Sequence, residues 1–403
     1  MKLGGALGHL TYCTNIHRGE TWPEVLAALQ RHLPAIKASV ALDRPFGVGL
    51  RLSALAAEAL RGERARAQLR DLLAAHDLYL FTLNGFPYGP FHGVRVKEEV
   101  YQPDWQREER LVYTDRLADL LAELMPAEPG LEGSISTVPG TFKPLAGPAG
   151  VVERIAENLV RHAAHLVLLR ARTGRVIALA LEPEPYCLLE TVEETVRFFK
   201  QHLFADAAVE RLAELCGLTR GDAQAALRRH LGVCYDVCHA AVEYEDPAGG
   251  LEALRAAGIR VPKLQLSAAL RLAEVDRAGA ERLRSFDEPV YLHQVVERRD
   301  GRLTRYLDLP QAFEALDGAA ADDSPREWRV HFHVPIFLDE IEHFSTTQDF
   351  LREILAIHRA NPVSAHLEVE TYTWDVLPEQ DRREDVATAI ARELAWVRDR
   401  LTA

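Results

Sequence analysis

The sequence predicts a single (β/α)8 barrel, and three observations predict it. Short apolar runs alternate with helix-like stretches along the whole chain, the pattern of a parallel sheet covered by helices. Eight such units follow one another with no fixed residue period between them. Four of the runs end at once in carboxylates or imidazoles: Val176–Leu181 into Glu182 and Glu184, Leu231–Tyr235 into Asp236 and His239, Trp328–Val330 into His331 and His333, and Ala365–Leu367 into Glu368 and Glu370. The carboxyl ends of barrel strands are where this architecture gathers metal ligands and acid–base groups.

The elements follow in order. Gly8–Cys13 reads as the first strand, and its helix starts where Thr21 can cap and Pro23 suits an early helical position. Phe46–Leu52 is the second strand, with Ser53 opening an Ala/Leu/Arg-rich helix. Leu78–Leu83 is the third, running into a loop that begins Asn84-Gly85-Phe86-Pro87-Tyr88 and is rich in aromatic residues up to Trp105. Gly133–Pro139 is the fourth strand, and the Glu182 and Asp236 runs are the fifth and sixth. Lys263–Ser267 is the seventh and His366–Glu370 the eighth. Between these last two, Arg299-Asp300-Gly301 sits between β-rich stretches, and an Asp-Gly pair there signals a hairpin. Residues 285–335 are therefore expected to be a hairpin insertion serving as a lid or substrate wall within one domain spanning 1–403.

Composition narrows the function. A chain of 403 residues, 48% of them hydrophobic, has ample material for one large decorated barrel. The net charge of −13 argues against binding nucleic acid through phosphates or docking on an anionic membrane. No run of about 18 apolar residues predicts a membrane span, and the first residues lack a secretory pattern, so a cytoplasmic protein is expected. The five cysteines are odd in number and scattered, which reads as reduced thiols rather than a disulfide framework.

The strand-end residues point to a metal. Glu182, Asp236 and one or both of Glu368 and Glu370 supply oxygen donors from three strands, and His239 and His333 supply nitrogen. Crowded carboxylates repel unless a cation neutralises them. Mn²⁺, Zn²⁺, Mg²⁺ and Fe²⁺ all suit such a set. A carboxylate from Glu182, Glu368 or Glu370, or the His239 imidazole, is then available for proton transfer. Glu368 and Glu370 lie two apart and share a face while the strand stays regular. His9, Asn15 and His17 after the first strand, Asn84 and Tyr88 after the third, and Lys263 and His331 are candidates for contacting substrate. Nucleophile elbows, phosphate loops and HExxH helices are missing from the sequence.

Glu182, Asp236-x-x-His239 and a glutamate on the eighth strand resemble the xylose-isomerase-like barrels, which include sugar-phosphate isomerases and epimerases. More specifically, His9–His17, Leu181–Pro185 and Leu367–Trp374 resemble the EboE family of metabolite-traffic proteins, over essentially the whole chain. That resemblance implies a barrel acting on a small-molecule metabolite in a secondary-metabolite pathway, with partner proteins from the same gene cluster. It also implies a divalent metal. Barrels of this kind commonly place a histidine ligand on the seventh strand, where this chain has Gln265; either its amide oxygen or an imidazole of His331 or His333 stands in. Three readings follow: a metal-dependent isomerase or epimerase, a non-catalytic carrier of a metabolite, and a metal-dependent phosphoester hydrolase that would need Arg51 or Lys263 pointing inward.

Overall fold

The computed structural model describes residues 1–318, 324–373 and 385–402. Eight parallel strands form one sheet: β1 (His9–Tyr12), β2 (Phe46–Arg51), β3 (Leu78–Asn84), β4 (Gly133–Thr137), β5 (Ile177–Leu181), β6 (Leu231–Asp236), β7 (Arg260–Leu266) and, last in the chain, β14 (His366–Val369). Neighbours pair in sequence from β2 to β7, β14 then pairs with both β7 and β1, and a parallel Cys13–Gly49 bridge joins β1 to β2. The sheet is thus a closed barrel, and every predicted barrel strand is present within a few residues of its expected bounds.

Local chemistry explains the helices that cover it. Thr21 and Glu24 form a reciprocal capping box at the start of Trp22–Val40, with Pro23 in the first turn. Ser53, Thr191, Thr219 and Asp246 cap later helices through their side-chain oxygens. The longest, Val151–Thr173, buries Ile155, Leu159, Ala163 and Leu166 along one face and ends at Gly174 with φ 72°.

Between β7 and β14 the chain builds a second sheet, antiparallel and six-stranded. Its strands are β8 (Ala268–Leu272), β9 (Val295–Arg299), β10 (Arg302–Tyr306), β11 (Arg326–Val334), β12 (Glu340–Ile341) and β13 (Phe344–Thr346). The β9–β10 hairpin closes on Asp300 and Gly301, both at positive φ (49° and 74°), as the Asp-Gly pair predicts. The sheet reaches well beyond that hairpin, because β8 follows β7 after one residue and pairs with both β11 and β13. The consequence for the site lies in β11. Its register against β8 shifts between Val330 and Val334, and there His331 and His333 stand side by side, their Nε2 atoms 3.1 Å apart.

The barrel interior is polar. Thr82, Ser134 and His366 form a hydrogen-bonded chain (2.8 and 2.7 Å) near the amino-terminal end. One layer higher, the Lys263 ammonium meets the Glu368 carboxylate at 2.6 Å, with both side chains fully buried. Gly49 makes room for this pair: a Cβ there would lie 2.0 Å from Glu368 Oε2 and 2.6 Å from the Tyr12 carbonyl.

Candidate metal centre

Three carboxylates converge at the carboxyl end of the barrel. Glu182 follows β5, Asp236 ends β6 and Glu370 follows β14, and one oxygen of each lies within 4.8 Å of the others. All three are buried. Asp236 divides its oxygens between two tasks. Its Oδ1 accepts from the backbone N–H groups of Cys238 and His239 (2.7 and 3.2 Å) and from the Ser267 hydroxyl (2.7 Å), which caps the following helix. Its Oδ2 has no hydrogen-bond partner, and neither has Glu182 Oε2. Glu370 Oε1 accepts from Asn15 Nδ2 (2.7 Å) and Asn84 Nδ2 (3.0 Å), so two amides, one from the turn after β1 and one from the end of β3, aim this carboxylate.

Burial, then the negative neighbours Glu370 and Asp236, pushes the Glu182 carboxyl well above the ordinary range. Burial, followed by Asp236 and Glu368, raises Glu370 from 4.5 to about 8. Three buried carboxylates at this spacing do not remain anionic together without a counter-charge. Two orphaned buried oxygens and a third carboxylate held by amides form a donor set that could hold a hard or borderline divalent cation. Three further groups of buried residues have ligand atoms within the same 4.8 Å: Asp236, His239 and His333; Glu184, His239 and His331; and Cys238, His331 and His333. The Cys238 thiol already donates to the Phe332 carbonyl.

All of these residues except Asp236 and Cys238 line a cavity of about 50 Å³. Asn15, Asn84, Glu182, Glu184, His239, His331, His333 and Glu370 form its polar floor, and Phe86, Phe91, Tyr101, Tyr291 and Tyr372 form an aromatic wall. Glu184 carries an accepted hydrogen bond from the Tyr101 hydroxyl (2.7 Å), and burial raises its carboxyl above the ordinary value.

Other expected site residues stand elsewhere. Lys263 and Glu368 are sealed one layer below as an ion pair, so Glu370 and not Glu368 reaches the cavity. Burial alone would lower the Lys263 pKa, but Glu368, with smaller help from Cys234 and Cys13, more than offsets this and leaves the ammonium above its usual value. Gln265 pairs in register with both Asp236 and Glu368, is fully buried, and has no hydrogen-bond partner on either amide atom. It is outside the cavity wall. His9 is at the opposite end of the barrel, bonded to the Tyr79 hydroxyl at 2.7 Å. His17 is held by the Tyr12 hydroxyl and stacks on His32. Tyr88 packs edge-on against Tyr113. A histidine or tyrosine near a strand end is placed by its direction as much as its position, and these three turn away. Arg51, which the hydrolase reading needs inward, is bound by Glu20 at 3.1 Å and by the Gly89 carbonyl. Trp374 lies outside the described residues.

Sequence reasoning passed over Gln294. Its Nε2 donates to the Tyr101 hydroxyl (2.9 Å) and the Pro185 carbonyl (3.2 Å), and its Oε1 faces His331 Nδ1 at 2.7 Å. A lone glutamine ahead of an apolar pair carries no signal of that role.

No helix among the described residues is long and apolar enough to cross a membrane. No family model matches the chain, and no curated protein matches it. Among solved structures, the chain is similar to the 3-keto-D-glucoside 4-epimerase YcjR of E. coli (14% identity, covering 97% of this chain and 99% of that one, TM-score 0.45). It is also similar to a D-tagatose 3-epimerase-like protein (12% identity, 98% and 100% coverage, TM-score 0.46). A third is the IOLI protein with a bound zinc atom (12% identity, 96% of each chain, TM-score 0.40).

Proposed function

We propose that the protein is a divalent-metal-dependent enzyme of the isomerase or epimerase type, acting on a small carbonyl-bearing or polyhydroxylated metabolite. One observation carries the reading: Glu182, Asp236 and Glu370 are buried together with Glu182 Oε2 and Asp236 Oδ2 left without protein partners. These three residues would hold the ion. When bound, it supplies positive charge that stabilises negative charge developing on a substrate oxygen.

The chain's own groups then have separable tasks. Glu182 and Glu370 both face the cavity and are the groups to remove a proton beside a carbonyl and to return one. Asn15 and Asn84 hold Glu370 in one orientation through its Oε1, and its Oε2 lies 3.4 Å from His333 Nδ1. The aromatic wall supplies apolar surface to hold the substrate over these carboxylates. The resemblance to the EboE family supports a metabolite of a secondary pathway and partner proteins from its gene cluster.

A carrier that binds the same metabolite without transforming it is the second reading, favoured by the five aromatic rings over the cavity. Two measurements separate them. Elemental analysis is expected to find a divalent metal in wild type that Glu182→Gln and Asp236→Asn lose. Incubation with a panel of aldoses, ketoses and keto-sugars in deuterated water is expected to place solvent deuterium beside the carbonyl of one of them. Metal binding without exchange on any panel member favours the carrier, and wild type that takes up no metal after reconstitution refutes the proposal.

A further inference from the structure

The wall of the candidate site is made largely of two pieces that hold each other. One is the loop after β3, which supplies Phe86, Phe91, Val96 and Tyr101; the other is the segment before β9, which supplies Tyr291 and Leu292. The backbone N–H groups of Val96 and Lys97 both donate to the Val290 carbonyl (2.8 Å each), and the Lys97 ammonium meets Asp308 at 2.5 Å. The Tyr291 hydroxyl donates to the Phe91 carbonyl at 2.9 Å. The Phe91, Tyr291 and Tyr372 rings touch pairwise, with centroids 5.2, 5.2 and 5.3 Å apart. The enclosed space of about 50 Å³ is well below the roughly 300 Å³ at which small-molecule sites begin. The wall therefore stands closed, and its two pieces must part to admit a metabolite.

From the same loop, His92 reaches back to the floor. Its Nε2 lies 2.6 Å from the Asn15 carbonyl, which only accepts, so Nε2 carries a hydrogen; its Nδ1 lies 3.0 Å from the Tyr291 hydroxyl. Asn15 belongs to a single short turn, Thr14–Ile16, and its Nδ2 donates to Glu370 Oε1 at 2.7 Å. The Asn15 Oδ1 is buried without a hydrogen-bond partner, which leaves the turn and the bond to Glu370 to set the direction of the amide. A second tether holds the turn, from the Arg51 backbone N–H to Thr14 Oγ1 at 2.9 Å, so losing the His92 bond loosens it without dismantling it.

We infer that His92 is a positioning residue that couples closure of the aromatic wall to the aim of Glu370. When the two pieces part, the bond from His92 to Asn15 breaks and the turn is released; when they close over a metabolite, the turn and the carboxylate are set together. The inference rests on the proposed metal centre, in which Glu370 is a ligand.

The test titrates Mn²⁺ alone into chelator-stripped full-length protein and reads the free ion by electron paramagnetic resonance. His92→Leu is expected to weaken binding about fivefold, the scale of one hydrogen bond, and Asn15→Ala by at least as much. The double variant is expected to bind no worse than Asn15→Ala alone, because both changes cut one path. His92→Gln, whose amide can still donate to the Asn15 carbonyl, is expected to keep most of the wild-type affinity, which a role in packing alone would not restore. Wild-type affinity in His92→Leu, full additivity in the double variant, or no rescue by glutamine overturns the inference and leaves the metal centre standing. No Mn²⁺ uptake by wild type sinks the metal centre and the inference with it. Should His92→Leu fail to fold by circular dichroism, Tyr291→Phe decides, since it removes only the hydroxyl that joins Phe91 to His92. Weakened Mn²⁺ binding there supports the coupling, and an unchanged constant refutes it.

Discussion

Replacing Lys263 with methionine is the sharpest test of how the barrel carries its charge. The ammonium and the Glu368 carboxylate are 2.6 Å apart, both are fully buried, and the nearest other partner of Lys263 is the Ser136 hydroxyl at 3.4 Å. At an effective dielectric of about 20, two unit charges at that distance attract by roughly 6 kcal/mol. Methionine fills most of the volume but leaves the carboxylate without a counter-charge beneath Glu370. Breaking a buried pair from one side costs about 3 to 5 kcal/mol. The loss is expected in urea unfolding followed by circular dichroism, with chelator present so that metal binding does not contribute. Combining Lys263→Met with Glu368→Gln removes both charges, and the double variant is expected to recover most of the loss. If Lys263→Met costs less than about 1 kcal/mol, or the double variant is no more stable than the single one, the pair does not hold the barrel floor.

Gly49→Ala is expected to lower the melting temperature, because the new methyl meets a backbone carbonyl of Tyr12 that cannot swing aside; overpacking of this kind costs about 1 to 3 kcal/mol, and an unchanged melt refutes it. Dialysis against a chelator is expected to lower the unfolding midpoint and Mn²⁺ or Zn²⁺ to restore it, by about 2.7 kcal/mol at a hundredfold excess over the dissociation constant; a midpoint indifferent to both argues against any bound ion. His230 offers a pH test far from the site. Burial lowers its pKa from 6.5 to about 4 in the folded protein, so the unfolded chain binds the extra proton in between. Its stabilising contribution is complete above pH 6.5 and is lost as pH falls, by roughly 3 kcal/mol near pH 4. His230→Gln should flatten the stability profile between those values, and an identical slope in both proteins rules the assignment out.

The barrel was legible because its strands are buried on both faces and read as short apolar runs between helix signals. The strand ends were legible for the same reason: a carboxylate directly after such a run has few places to go. Direction was not. Glu368 and Glu370 share a face, and only the position of Lys263 on the neighbouring strand shows that one closes the floor and the other reaches the cavity. His9 and His17 bracket the first strand in sequence but lie at different levels of the fold, each with its own hydroxyl partner. The breadth of the second sheet was hidden because β8 follows β7 after a single residue, and β12 and β13 are only two and three residues long. Gln294 owes its place to β11 and β9 pairing, a long-range fact that no local pattern encodes.

The cluster at the barrel mouth draws its carboxylates from one sheet and two of its imidazoles from another. Glu182, Asp236 and Glu370 are fixed once the barrel closes, whereas His331 and His333 arrive only when β11 docks across it. The two halves can therefore form at different moments and fray at different free energies. Hydrogen exchange in β11 would then report on the completeness of the imidazole set while the barrel strands stay protected. The same division lets change in the antiparallel sheet alter which side chains are offered at the mouth without disturbing a single barrel strand.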